Sequence, residues 1–172
     1  YKKMKYFILE QGKGYDRNPS LKGWHGKIDW HSLKRDGQAV GKRFMFQVSA
    51  TEHTFYPDIM MHPVFMVSEA VRDIIAIYAN RVIFSEVFLL DSERDEGHIY
   101  YIPYLPVVDC LHDKEGGMKG RNRQYVVYES KMWNRNIVET ETGGSQCIVV
   151  SLDFAESILR KGITGIGLKE TE

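Results

Sequence analysis

Residues 63–90 constrain the fold of this chain more than any other stretch, because they predict a strand, a helix and a second strand in succession. The apolar run 64–67 is followed by Ser68, whose hydroxyl can accept from the free amides of a first helical turn. The β-rich run 82–90 predicts the second strand. Between them, apolar residues recur at the helical spacing i, i+3, i+4 and i+7, at Val71, Ile74, Ile75 and Tyr78.

A shorter echo of this unit lies at 147–170. Ser151 follows an apolar run and predicts a second helix cap, and Gly162 is placed to end that helix because glycine readily adopts the left-handed conformation. Residues 163–168 predict a closing strand. Both serines are therefore interpreted as helix caps and not as catalytic nucleophiles. The apolar side of the second helix is supplied by Phe154, Ala155, Ile158 and Leu159.

The remaining pattern predicts one α+β domain over residues 1–172, least constrained at 11–61, with a mixed or mostly antiparallel sheet. We expect the two main helices to pack on that one sheet. The run 98–104 predicts a hairpin with 82–90 across the charged turn 91–97, whose acidic side chains are expected to be solvated. Trp133 and Ile137 are the expected core residues of 129–144. Further strands are predicted at 4–10, 43–48, 58–61 and 124–128.

Charge and cysteine usage limit the function classes. Acidic and basic residues balance at 23 each, which gives no concentrated basic face for nucleic acid. The apolar runs are shorter than the ~20 residues that a membrane helix needs, so we expect no membrane partner. Two isolated cysteines without a CxxC pair are typical of a reducing compartment. A cytoplasmic protein is expected.

The one compact cluster of metal-type ligands in the sequence consists of Asp109, Cys110, His112 and Asp113. No second cluster with zinc-like spacing accompanies it, so a turn at a strand end is favoured and no metal or cofactor is assigned. Cys110 as a nucleophile with His112 as its base stays an alternative, because residues i and i+2 of a strand point the same way. No GxxxxGK[ST], HExxH or GxSxG motif occurs, and no catalytic residue is assigned.

Trp24 and Trp30 fall on one face of the segment 21–41 if that segment is extended. An edge strand whose rings cap the core is favoured over an aromatic contact patch, although tryptophan is enriched at interface hot spots. Arg121 lies in a basic, glycine-rich loop at 115–122.

The order of these segments resembles the bacterial toxin-immunity family numbered eleven, formerly described as a domain of unknown function. The resemblance spans most of the chain and is weakest over 11–61. It implies a cytoplasmic, non-enzymatic α+β protein that binds and neutralises a secreted polymorphic toxin encoded beside it. The segments that carry the resemblance are MKYFILE, VFMVSEAVRDII, YIPYLPVVDCLHDK and CIVVSLDFAESILRKGITGIGL.

Segments 21–41 and 115–122 match this family least, and they are where a partner-specific surface is expected. The candidate partner-binding residues are therefore Trp24, Trp30, Asp109 and Arg121. The alternatives are a small metal- or thiol-dependent enzyme centred on Asp109, Cys110 and His112, and a regulatory module that binds another protein.

Overall fold

The structure, a computed structural model, describes residues 3–24, 42–114 and 123–172, and it has the predicted α+β class. The helices are α1 (Glu69–Tyr78), α2 (Glu129–Met132) and α3 (Leu152–Arg160), with a 3₁₀ turn at Tyr15–Arg17. No helix in these three ranges is long and apolar enough to cross a membrane. The strands are β1 (Tyr6–Gln11), β2 (Ser20–Leu21), β3 (Arg43–Ser49), β4 (Ile59–Met60), β5 (Met66–Val67), β6 (Ile83–Asp91), β7 (Glu96–Tyr104), β8 (Leu111–Asp113), β9 (Tyr125–Val127), β10 (Ile137–Thr142), β11 (Ser145–Ser151) and β12 (Ile166–Glu170).

Two main sheets carry the helices, where the sequence had predicted one. A four-stranded sheet has the order β10-β11-β1-β12, and a six-stranded sheet has the order β2-β3-β6-β7-β5-β4. Strands β8 and β9 form a separate pair. Only β3 and β6 pair in parallel among the named neighbours, so the fold is mostly antiparallel, as predicted. The single-sheet expectation was wrong because periodicity reports a buried face and not which sheet provides it.

The two strand–helix–strand segments are the same supersecondary unit used twice. In each, a hairpin (β4–β5 or β10–β11) leads into a helix and then into a strand parallel to the one before the helix. In each, an antiparallel strand lies between those two parallel strands: β7, which follows the first unit directly, and β1, which comes from the start of the chain, in the second. The two segments that resemble each other in sequence therefore also share the same strand topology.

The serine caps of α1 and α3 repeat in atomic detail. The Ser68 hydroxyl accepts from the amide three residues on at 3.5 Å, and that of Ser151 does so at 3.2 Å. The same hydroxyls donate to the side chains opposite them, Ser68 to Asp58 at 2.8 Å and Ser151 to Asn136 at 2.7 Å. Their main-chain amides donate to the carbonyls of the same two residues, at 2.7 and 2.8 Å. Each cap thus fixes its helix to the preceding hairpin, as well as satisfying an orphan amide.

The core consists of three apolar clusters, one between the two sheets and one on the outer face of each sheet. The central cluster lies between the sheets and combines both helices with residues such as Phe7 of β1 and Val67 of β5. A second cluster covers the outer face of the six-stranded sheet, with Phe46, Met66, Val87, Leu89, Tyr100 and Ile102. A third cluster covers the outer face of the four-stranded sheet, with Tyr6, Ile8, Cys110, Leu111, Val127, Met132, Val138 and Val149.

Asp58 joins the two units. Beyond the bond from Ser68, its carboxylate accepts from the Thr164 amide at 2.9 Å and from the Thr164 hydroxyl at 3.0 Å. Gly165 follows with φ +88, and a side chain there would meet the Ile59 carbonyl and Pro57. The loop before β12 is therefore held directly against the start of β4.

Two sequence expectations fail locally. Trp133 was expected in the core but is 78% exposed, because it follows α2 in the left-handed conformation (φ 50) that turns the chain outward. Ile137 is 1% exposed, as predicted. Asp91 was expected in a solvated turn but is buried, where its carboxylate accepts from the amides of Glu93 and Arg94 at 3.1 and 3.3 Å.

Candidate binding surface

The turn that carries Asp109 places a carboxylate in solvent. The Asp109 side chain is 78% exposed and lies 3.5 Å from the Lys131 ammonium and 4.0 Å from His112 Nε2. The imidazole of His112 packs on the Tyr128 ring, with centroids 4.3 Å apart. This side of the molecule is thus a half-exposed group of charged and aromatic side chains. The ion pairs are weak because solvent screens them.

Cys110 does not join Asp109 and His112. Its side chain is fully buried in the third cluster, and burial raises the pKa of its thiol from 9.0 to about 11. At neutral pH the thiol is therefore protonated, while a nucleophilic cysteine needs the thiolate. Within the described ranges, no three metal-type ligands converge. The geometry gives no support to a thiol or metal centre at this turn.

Trp24 and the Asp109 turn lie at the outer faces of different sheets. Trp24 is half-buried and packs against the second cluster, on the outer face of the six-stranded sheet. Asp109 lies next to the third cluster, beyond the four-stranded sheet. Trp30 and Arg121, the other two candidate partner-binding residues, fall outside the described residues, as do 25–41 and 115–122. The two candidates that are described thus lie on opposite sides of the fold.

A surface that sequence reasoning missed lies on the inner face of the six-stranded sheet, beside α1. The helix packs on β5 and β7 and leaves much of β3 and the far part of β6 uncovered. Strand register places Met45 opposite Phe88 and Phe88 opposite Ile99, so the three side chains form one row on the same face. Met45 is 64% exposed, Ile99 is 48% exposed and Phe88 is half-buried.

Gly97 lets the Phe88 ring lie down on the sheet. A Cβ built at Gly97 would lie 2.5 Å from Phe88 Cζ, so any other residue there would lift the ring. Gly97 pairs with Leu90 in the next row, and Leu90 is half-buried on the same face. We call the four side chains Met45, Phe88, Leu90 and Ile99 the apolar strip.

The two ends of the apolar strip differ in charge. At one end Arg43 pairs with Glu86 across β3 and β6 at 3.2 Å, which leaves that end balanced. Beside it, the Arg72 guanidinium of α1 lies over the Tyr101 ring, 4.4 Å from its centroid. The other end runs into the turn between β6 and β7, where residues 92–97 are all exposed.

Sequence patterns alone could not reveal the apolar strip. Met45 stands in the continuous apolar run FMF, and Phe88 in VFLL, so neither strand shows an alternation that separates its two faces. The row appears only once β3, β6 and β7 are placed in register, and β3 and β6 are separated by 33 residues. The one local signal was a methionine between the aromatic residues Phe44 and Phe46, which the structure places half-buried and buried on the opposite face.

Comparison with known proteins gives no assignment. No protein-family model matches the chain, and no curated protein matches it.

Proposed function

We propose that this chain is a non-catalytic protein that binds and neutralises a cognate protein toxin. The apolar strip is the observation that carries the proposal, because a contiguous group of exposed apolar side chains on a sheet is typical of a protein-binding surface. The resemblance to the immunity family supplies the class of partner. It also supports a bacterial, cytoplasmic protein of a polymorphic toxin system.

The strip suits binding because the sheet beneath it is fixed. The alternate residues of the same strands, such as Phe46, Val87 and Tyr100, are buried on the opposite face. A sheet backbone that is already held in place loses little conformational freedom on association, so more of the contact energy appears as affinity.

Co-expression with the product of the neighbouring gene tests the proposal. We expect the chain to restore growth and to co-purify with that product. An unrelated protein of similar size, expressed at the same level, is the control. Failure of both rescue and co-purification would contradict the proposed function.

A titration separates neutralisation by binding from enzymatic detoxification. If the chain acts by binding, residual toxin activity falls linearly and ends at a fixed molar ratio of chain to toxin. An enzyme would remove the activity at a ratio far below one, given time. That second outcome would favour the alternative of a small enzyme.

Asp109 remains a second candidate contact point, because its exposed carboxylate lies beside His112, Tyr128 and Lys131. If it contacts the toxin, Asp109→Ala weakens the complex while Cys110→Ala leaves the affinity unchanged. Trp24, Trp30 and Arg121 are tested by alanine substitution in the same assay. Loss of binding at Trp24 alone would move the interface to the opposite face of the six-stranded sheet.

A further inference from the structure

The turn at the end of the apolar strip has an excess of negative charge. Residues 91–96 contain four carboxylates and one guanidinium, a net charge of 1 − 4 = −3. The Arg94 guanidinium already has partners, because it lies 3.3 Å from the Asp91 carboxylate and donates to the Ala50 carbonyl at 2.8 Å. In the described part of the chain, the carboxylates of Glu93 and Asp95 have no ion-pair partner.

The acidic turn and the apolar strip form one surface. Leu90 and Gly97 form the second-last residue pair of β6 and β7 before the turn. The strip therefore ends where the acidic residues begin. Phe88 precedes Asp91 by three residues, about 10 Å along the strand. That distance is close to the Debye length at physiological salt. A single partner can therefore place an apolar group on the strip and a charged group at the turn.

The charge pattern selects among possible occupants. Anionic lipid and nucleic acid are both repelled by the acidic turn. A second copy of the chain is the competing protein occupant, but the guanidinium groups that border this surface are already paired, Arg43 with Glu86 and Arg94 with Asp91, so they are not free to face the acidic turn of another copy. A small apolar centre with charge at its border fits the hot spot of a complex with a different protein.

From this we infer that the strip and the turn dock a basic surface of the partner protein. An apolar side chain of the partner lies on Met45, Phe88 and Ile99, and its lysine or arginine side chains face Glu93 and Asp95. This inference rests on the proposed function, since the toxin is taken as the partner.

Two variants, measured by biolayer interferometry against the product of the neighbouring gene, test the two halves of the surface. Met45→Ser with Ile99→Ser removes the apolar contacts, and we expect Kd to rise by about tenfold or more, mainly through faster dissociation. Glu93→Gln with Asp95→Asn removes the charges. We expect the association rate to fall by about threefold at low salt and its salt dependence to become shallower.

Matched controls lie outside the strip, the acidic turn and the Asp109 turn. Leu159 is 59% exposed on α3, so Leu159→Ser tests the same loss of an exposed apolar group. Glu10→Gln with Glu141→Gln removes two exposed carboxylates of the four-stranded sheet, which have no ion-pair partner among the described residues. These controls should keep the wild-type Kd within about twofold. Thermal unfolding of every variant checks that the fold is intact.

Each outcome bears on a different claim. If the wild-type chain does not bind, the proposed function fails and this inference fails with it. If the wild-type chain binds and the Met45/Ile99 variant binds within twofold of it, the inference alone is overturned. If sedimentation shows a wild-type dimer that the same variant loses, a second copy occupies the strip and the inference is also overturned.

Discussion

Asp58→Ala should destabilise this protein more than the equivalent change in the second unit, Asn136→Ala. The Asp58 carboxylate accepts three hydrogen bonds, from the Ser68 hydroxyl and from the amide and hydroxyl of Thr164. Asn136 occupies the matching position but, among the described residues, its side chain accepts from Ser151 alone, at 2.7 Å. The pair of variants therefore compares the same cap with and without the link between units.

The expected magnitude follows from the number and type of bonds. A hydrogen bond to a charged group contributes about 1.5–3 kcal/mol when buried, and a neutral bond about 1 kcal/mol. Asp58 is half-exposed, so water replaces part of each lost bond, and about 1 kcal/mol per bond is reasonable. We expect a loss of about 3 kcal/mol for Asp58→Ala and about 1 kcal/mol for Asn136→Ala.

Equilibrium unfolding in urea measures both losses. A double-mutant cycle with Thr164→Val isolates the link, and we expect a coupling energy of about 1 kcal/mol or more between Asp58 and Thr164. Equal losses for Asp58→Ala and Asn136→Ala, with no coupling to Thr164, would refute the role of Asp58 as the link. The remaining capping bond of Ser68 keeps α1 in place, so the variants are expected to stay folded.

Two further predictions concern backbone space and pH. Gly165→Ala should lower the free energy of unfolding by about 3 kcal/mol or more, because its Cβ meets Pro57 and the Ile59 carbonyl at positive φ. Gly162→Ala, at φ +66 with no atom near its Cβ, should lower it by only about 1 kcal/mol. Similar melting temperatures for the two variants would contradict this. Burial raises the pKa of Cys110 from 9.0 to about 11. The contribution of this protonated thiol to the free energy of unfolding is therefore complete below pH 9 and is lost as the unfolded thiol ionises between pH 9 and 11. The wild-type chain should therefore lose about 1.4 kcal/mol more than Cys110→Ala between pH 8 and pH 10, and parallel pH profiles in urea would show that the folded thiol ionises normally.

The helices could be predicted from the sequence because the signals for them are local. Ser68 and Ser151 cap α1 and α3 as expected, and the buried faces follow the helical spacing. Leu159 is the exception: it was expected on the apolar side of α3 but is 59% exposed. The hairpin of β6 and β7 was predicted for the same reason, since its two strands are separated by one short turn.

Strand β10 was missed because four of its six letters, IVETET, are polar. Glu139 and Thr140 are nevertheless buried, and the Glu139 main chain pairs with Pro106 and Val108. Such burial depends on a segment some 30 residues away in sequence, which no local pattern reports. The same limit explains the apolar strip, where three strands must be in register before Met45 and Ile99 become neighbours.

The insertion of β1 between β11 and β12 has a consequence for synthesis on the ribosome. Leu9 pairs with Ile148 on one side and with Leu168 on the other, so β1 is made well over a hundred residues before either of its partners. The first unit has its central strands β5, β6 and β7 within residues 66–104 and can form as they emerge. The apolar β1 stays unpaired until β11 is translated, which makes it a segment exposed to misassociation during synthesis.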